Sequence, residues 1–247
     1  MDESKLEQTL VLIKPDALKN SSTGYILSTL SEFHTGLHLC GAKVVNVSKM
    51  TAEEHYAEHR EKNFFPELLE YIMGRIHYAD EPMKQRVIAI VYQGQDAIRK
   101  IRSIVGPTNP LDARVKKPGC IRALGTVVPL KDAEDNVIGE RMDNLIHASA
   151  IDDDAEREIK LWFKPNDIPP LMHAYPTELS KDFYYLKENK LFTTYEPDCI
   201  CILASGDIAW KSDLEALQQL SKGIQSSVSL ESVVAKYLTN EDRTENL

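Results

Sequence analysis

The stretch Asn144-Leu145-Ile146-His147-Ala148-Ser149 sets an imidazole between two side chains that can hydrogen-bond, at the end of what reads as a short strand. Alone, such a histidine is usually an ordinary structural residue. It gains meaning from distant segments. The run Thr9-Leu10-Val11-Leu12-Ile13 is β-branched and apolar, reads as a buried strand, and is followed by Lys14-Pro15-Asp16. Thr108-Asn109-Pro110 and Lys117-Pro118-Gly119-Cys120-Ile121-Arg122 lie upstream of the histidine, and Glu158 lies eleven residues beyond it.

Outward from these anchors the chain alternates helix and strand patterns. Ser21, Ser22 and Thr23 offer helix caps, and Ile26, Leu27, Leu30 and Phe33 keep helical spacing up to Gly36. Residues 37–47 read as a second strand, with Gly41 as a possible bulge. Thr51-Ala52-Glu53-Glu54 fits a capping box for a helix carrying His55, Tyr56 and His59. A further helix starts at Phe64. Residues 86–92 form an apolar central strand, and residues 95–105 a helix with Arg99, Lys100 and Arg102 outward. From 106 to 122 three prolines and two glycines suggest a long ordered loop, which is itself a functional cue. Asp152, Asp153 and Asp154 open the next helix, where anions suit the dipole, and Pro165 ends it. This βαββαβ order predicts an α/β (α+β) sandwich with a ferredoxin-like, antiparallel four-stranded sheet covered by helices, over residues 1–165.

Residues 166–247 differ and form a mixed C-terminal extension. Leu186, Leu191 and Phe192 surround a polar helix, Cys199 to Leu203 reads as a buried strand, and two amphipathic helices fall near 213–220 and 230–238. The last seven residues are polar and expected to fray. This part carries a net charge of -6 of the total -9. A chain so acidic is no general nucleic-acid or membrane-surface binder, although a pocket with a few cations can still hold a polyanion. The four cysteines give no disulfide framework, the Cys199-x-Cys201 pair lacks a second pair for a metal site, and a reduced compartment follows. The polar start 1–7 is no signal peptide, no run reaches membrane-span length, and a soluble, cytoplasmic protein is expected.

Taken together, the quoted motifs over residues 8–165 resemble the nucleoside diphosphate kinase family, whose members carry phosphate on a histidine. The resemblance implies a ping-pong transfer of the γ-phosphate of a nucleoside triphosphate to a nucleoside diphosphate, with His147 as nucleophile. A covalent stop lets the donor leave before the acceptor enters the same pocket. Ser149 and Glu158 match the pair that holds the ring. Lys14 matches the lysine on the sugar and phosphate side, Arg102 and Arg122 the phosphate-gripping arginines, and Thr108 the hydroxyl donor to phosphate. Tyr56 matches the tyrosine near the phosphate, Asn144 the sugar ligand, and Phe64 the ring stacked on the base, a contact that tolerates every nucleobase. No protein metal ligands are implied: Mg²⁺ arrives on the nucleotide phosphates. The partners implied are nucleoside tri- and diphosphates and other copies of the chain, with no stable nucleic acid and no membrane.

The chain departs from the family pattern in places. His147-Ala148-Ser149-Ala150 stands where the family has His-Gly-Ser-Asp, so a methyl is added and a carboxylate that caps the next helix is lost. Extra residues fall at 75–86, at 113–116 and at 126–141, the last including Lys131-Asp132-Ala133-Glu134-Asp135. They leave the size of the oligomer open. Two rivals stand beside the kinase reading: a nucleotide-binding scaffold of the same fold with weak or no turnover, and a histidine phosphotransfer protein with a protein acceptor. The extension is expected to serve as a subunit contact or an added layer.

Overall fold

A computed structural model describes residues 6–131 and 134–238. The first five residues, Asp132 and Ala133 of the acidic insertion, and the seven terminal residues expected to fray all lie outside the described residues.

Leu6–Ile13 forms β1, Pro15–Lys19 α1, Thr23–Thr29 α2, Glu32–Thr35 α3 and His38–Val45 β2. Lys49–His55 is α4, Phe65–Ile72 α5, Val87–Gln95 β3, Ala97–Val105 α6 and Pro110–Lys116 α7. Thr126–Lys131 and Val137–Asp143 are β4 and β5, Ile146–Ala148 is β6 and Asp152–Trp162 is α8. The central sheet has the order β2-β3-β1-β6 and is antiparallel throughout. This is the ferredoxin-like sheet read from the sequence.

Side chains alternate across the sheet. On one face, Leu10, Leu12, Ala89 and Val91 pack with Ala52, Ile72, Ile159 and Phe163 from α4, α5 and the α8 region. On the other, Val11, Ile13 and Ile90 pack with Ile26, Leu30, Ala97 and Ile101 from α2 and α6. The bulge at Gly41 is present as a register shift between Leu39 and Gly41. A Cβ there would stand 2.9 Å from the Asp167 carbonyl, so the strand needs glycine where the chain beyond α8 crosses it.

Several local expectations are corrected. The helix read over 23–36 is two helices, because Ser31 takes an extended conformation and restarts the turn, and Phe33 is left exposed. Helix α4 opens at Lys49 rather than Thr51: the Ser48 hydroxyl accepts the Thr51 N–H at 3.1 Å, which makes Ser48 the cap. Tyr56 and His59 therefore fall just past its end. The stretch read as a loop holds α7, where Asn109 caps the Leu111 N–H at 2.8 Å and Pro110 occupies the first turn. The insertion at 126–141 is the β4–β5 hairpin.

Beyond α8, Thr177–Leu179 (β7) pairs with Ile208–Trp210 (β11), and Tyr184–Lys187 (β8) lies between Lys190–Phe192 (β9) and Ile200–Leu203 (β10). Helices α9 (Lys211–Leu220) and α10 (Leu230–Val234) follow. The polar helix expected around Leu186, Leu191 and Phe192 is instead a hairpin. Glu188 and Asn189 both take positive φ, as a two-residue hairpin turn requires. The Cys199–Leu203 strand is buried at Ile202 and Leu203, while Cys201 is exposed. This segment packs on the core. Trp210 is fully buried and its Nε1 donates to the Phe163 carbonyl at 2.7 Å. Ser229 Oγ donates to Glu54 Oε2 on α4 at 3.0 Å.

Candidate active site

His147 sits on β6 opposite Leu12 of β1, and Lys14 follows Leu12 by two residues. The pleat therefore puts both side chains on the face that α4, α5 and α8 cover. The turn before β6 is strained: Leu145, a non-glycine residue, has φ 69°. Asp16 Oδ2 accepts its N–H at 2.8 Å, and its carbonyl accepts the Lys14 N–H at 2.9 Å. Asp16 thus locks the backbone between Asn144 and His147. Burial raises its pKa.

A cleft of about 410 Å³ opens above His147. All of the expected nucleotide ligands line it: Lys14, Tyr56, Phe64, Arg102, Thr108, Arg122 and Asn144. Glu158 lines it too. Ser149 does not; it stands behind Glu158 as a fully buried support.

Glu158 is bonded to both His147 and Ser149. One oxygen, Oε2, lies 2.9 Å from His147 Nε2 and accepts the Ser149 hydroxyl at 2.7 Å. Ser149 Oγ in turn accepts the Leu10 N–H at 3.1 Å. Burial works to raise the Glu158 pKa, but His147 and the Ser149 hydrogen bond outweigh it and hold the carboxyl down to about 2. An ionised carboxylate can only accept. His147 Nε2 therefore donates in this contact, and in the neutral ring Nδ1 is the nitrogen with the lone pair.

His55 packs edge-on against His147, with ring centroids 4.5 Å apart. Trp162 Nε1 donates to His55 Nδ1 at 3.2 Å, which leaves the His55 proton on Nε2. Burial, then the nearby His147, pushes the His55 pKa well below its usual value. The His55 ring is thus a buried neighbour packed against the His147 ring. The ligand atoms of His55, His147 and Glu158 lie within 4.8 Å of one another.

Three cations, Lys14, Arg102 and Arg122, line the cleft with His147. Lys14 Nζ donates to Asn144 Oδ1 at 2.8 Å, and Asn144 Nδ2 donates to the Thr108 carbonyl at 3.0 Å. Burial, then the Arg122 guanidinium, pulls the Lys14 ammonium down to about 8. Burial, then Arg102, likewise lowers Arg122 to about 10. Arg122 is not the free fork the sequence suggests. Its Nε and Nη2 donate to the Ile146 carbonyl at 3.2 and 3.0 Å, and Nη1 donates to the Gly106 carbonyl at 3.0 Å. It ties β6 to the α6–α7 connection while still lining the cleft. Arg102 and Thr108 are exposed at the rim. Tyr56 Oη is buried with no protein partner among the described residues. Phe64 is half exposed at the mouth, edge-on to His59 at 5.7 Å.

This geometry matches known proteins. The nucleoside diphosphate kinase family model matches residues 7–168. The chain belongs to the nucleoside diphosphate kinase family. A nucleoside diphosphate kinase of Pyrococcus abyssi is 37% identical over 187 residues, which cover 76% of this chain and 99% of the relative. The solved structure of the Aquifex aeolicus nucleoside diphosphate kinase superposes with a TM-score of 0.53 at 31% identity, covering 66% of this chain and 99% of that one. A Borrelia burgdorferi nucleoside-diphosphate kinase, solved as a transition-state mimic with vanadate and ADP, gives a TM-score of 0.51 at 27% identity over 67% of this chain and 91% of its own.

Sequence reading missed several cleft residues. His55 was placed on its helix without a role, although the adjacent His55-Tyr56 pair already tied it to the site. Asp16 stood in a quoted motif but was given no task. Asp154, Glu140, Arg141 and Met142 also line the cleft. The last three come from the β4–β5 hairpin, whose fold the insertion's acidic composition concealed.

Proposed function

We propose that His147 Nδ1 attacks the γ-phosphorus of a nucleoside triphosphate, and that a nucleoside diphosphate then takes the phosphoryl group back. The observation that carries this reading is the Glu158–His147 contact at 2.9 Å, which engages Nε2, so that the neutral ring offers Nδ1 as the nucleophile. In the first half-reaction the bond from phosphorus to the β,γ-bridging oxygen breaks, its electrons leave with the diphosphate, and an N–P bond forms. The imidazole gains positive charge, which the Glu158 carboxylate compensates through Nε2–H. The second half-reaction is the reverse, with a new diphosphate oxygen as nucleophile. This is the activity of a nucleoside diphosphate kinase.

Lys14, Arg102, Arg122 and the Tyr56 hydroxyl neutralise and orient the phosphates, which is most of what phosphoryl transfer asks of a protein. Asn144 meets the sugar, and Phe64 the base. The donor set fits a magnesium ion that is already ligated by phosphate. Asp154 and Glu58, both on the cleft wall, would meet its water shell. The ion would draw charge from the phosphate oxygens.

The extension, as described over 166–238, forms an added layer in this reading, supported by the buried Trp210 and by the Ser229 contact to α4. A homo-oligomer is also proposed, supported by β2, an edge strand that presents Leu39 and Val44. A reducing, cytoplasmic setting is supported by four free cysteines.

The test is a two-step transfer. Protein is mixed with γ-labelled ATP and Mg²⁺, stripped of nucleotide, and then given GDP. Label should appear on His147 in acid-labile form and move to GTP. His147→Ala should bind nucleotide and take up no label. A wild-type protein that binds ATP without becoming labelled overturns the kinase reading in favour of the scaffold.

A further inference from the structure

The residue 75–86 loop, extra to the family pattern, places one side chain behind the cleft. His77 does not itself line the cavity. Its Nε2 lies 2.9 Å from Asp143 Oδ2, and its ring packs against Tyr71 with centroids 5.3 Å apart. Burial works to raise the Asp143 pKa, but the His77 hydrogen bond and Arg141 hold the carboxyl below its usual range. An ionised carboxylate only accepts, so His77 donates. The loop that delivers His77 is anchored. Lys19 Nζ donates to the His77 carbonyl at 2.8 Å and stands 4.9 Å from the centre of the Tyr78 ring. Gln85 Nε2 donates to the Tyr78 carbonyl at 2.8 Å, and Gly74 takes a φ of 82° just beyond α5, where the loop begins.

Both neighbours of His77 lead into the cleft. Lys14 Nζ stands over the Tyr71 ring, 5.1 Å from its centre. Asp143 ends β5 and is followed by Asn144, whose Oδ1 accepts from Lys14 Nζ at 2.8 Å. The backbone between Asp143 and Asn144 has little slack on its other side. A Cβ on Gly125 would stand 2.5 Å from the Asp143 carbonyl and 3.1 Å from Asn144 Cα. Asp143 Oδ1 accepts from Arg141 Nε at 2.7 Å. For Oδ2 His77 is the close donor, with Arg141 Nη2 farther off at 3.4 Å.

We propose that His77 is a positioning residue: it holds Asp143 and Tyr71, and through them the Lys14–Asn144 pair, in the arrangement that meets the sugar hydroxyls of the nucleotide. The inference rests on the reading of Lys14 and Asn144 given above. A pair set to bond hydroxyls penalises a ligand that lacks them, because its own polar groups are then left without partners. The penalty fades when the pair can shift and find other partners. A side chain that merely filled space behind the cleft would affect both ligands alike.

The test is equilibrium binding by calorimetry of ADP and of 2′,3′-dideoxy-ADP to the full chain and to His77→Phe, His77→Asn and His77→Gln. Wild type should bind ADP about tenfold more tightly than the dideoxy analogue. His77→Phe should bring that ratio below about threefold. Glutamine can place its amide where Nε2 stands, so His77→Gln should keep the wild-type ratio. Asparagine matches the position of Nδ1 instead and stays polar without reaching Asp143; His77→Asn should behave like His77→Phe, and it serves if His77→Phe unfolds in a thermal melt. A ratio that survives both His77→Phe and His77→Asn overturns the proposal and leaves the cleft reading intact, and so does a collapse that His77→Gln shares. A flat ratio in the wild type overturns it together with the sugar reading of Asn144. Binding does not depend on turnover. A protein that shows the ratio and its collapse but takes no label from ATP keeps this assignment and loses the kinase reading.

Discussion

Glu158→Gln is the most informative single change. Oε2 of Glu158 serves two donors, His147 Nε2–H at 2.9 Å and the Ser149 hydroxyl at 2.7 Å, and the side chain is 4% exposed. Glutamine keeps the volume and removes the charge. If its carbonyl oxygen takes the Oε2 position, both hydrogen bonds survive in weaker, neutral form. If its amide nitrogen does, it must donate to His147 Nε2. The imidazole proton then moves to Nδ1 and the nucleophile is gone. Even the favourable orientation loses the counter-charge for the imidazolium-like transition state. Two full charges about 4 Å apart at an effective dielectric near 20 interact by about 4 kcal/mol. With roughly half of the charge developed in the transition state, about 2 kcal/mol is lost. The weaker hydrogen bond adds about 1 kcal/mol. Phosphorylation should slow by about 10²-fold. The assay is quench-flow labelling by ATP in a single turnover, with ADP affinity measured alongside. A rate within threefold of wild type, or a loss found wholly in affinity, would refute the assignment of Glu158 as the group that fixes His147.

Three further outcomes are expected. Because Lys14 titrates near 8 in the ligand-free cleft rather than at its usual 10.5, and phosphate raises it again, ADP affinity should fall by about tenfold per pH unit above pH 8; Lys14→Met should bind weakly and abolish that slope in calorimetry. Glu158 has a folded pKa of about 2 against an ordinary 4.5, so its stabilising contribution is complete above pH 4.5 and is lost as pH falls toward 2; the gap in unfolding free energy between wild type and Glu158→Gln, at most about 3 kcal/mol, should close over that window in denaturant titrations. Asp213→Ala should destabilise the protein by about 3–5 kcal/mol, because Lys236 Nζ, fully buried and bonded to Asp213 Oδ2 at 2.9 Å, would keep an unpaired charge; Lys236→Met combined with Asp213→Leu should recover much of this in thermal melts.

The legibility of this chain in its sequence followed the physics of each signal. β1 and β3 were readable because a run such as Val87 to Val91 is apolar without interruption, which only a strand covered on both faces requires. The candidate residues were gathered by the family resemblance, and the fold brings them to one cleft: Lys14 ends a strand, and His147 and Asn144 flank a short turn. What could not be read was set by contacts between distant segments. Nothing local says that Trp162 will fix the tautomer of His55, 107 residues away. Nothing local says that Arg122 will spend its donors on the Ile146 and Gly106 carbonyls. The misread helix at 186–192 had apolar spacing that suits either element. The positive φ values at Glu188 and Asn189, which decided for a hairpin, come from residues that lack the glycine usual there.

The two alanines beside the nucleophile bear on whether this chain turns over or only binds. Ala148 pairs with Val11 in the β6–β1 ladder, and its side chain packs in the layer under α6, the face opposite His147. Its methyl fills core rather than crowding the ring. Ala150 is exposed, and α8 starts without a side-chain cap, but Asp152, Asp153 and Asp154 occupy its first turn and meet the positive end of the helix dipole. Asp154 also reaches the cleft. The carboxylate missing at position 150 thus has a neighbour one turn along. Neither substitution touches the His147–Glu158–Ser149 chain. A scaffold that only held nucleotide would need its cations and its stacking ring. It would have no use for a buried carboxylate kept ionised against the cost of burial and bonded to one histidine nitrogen.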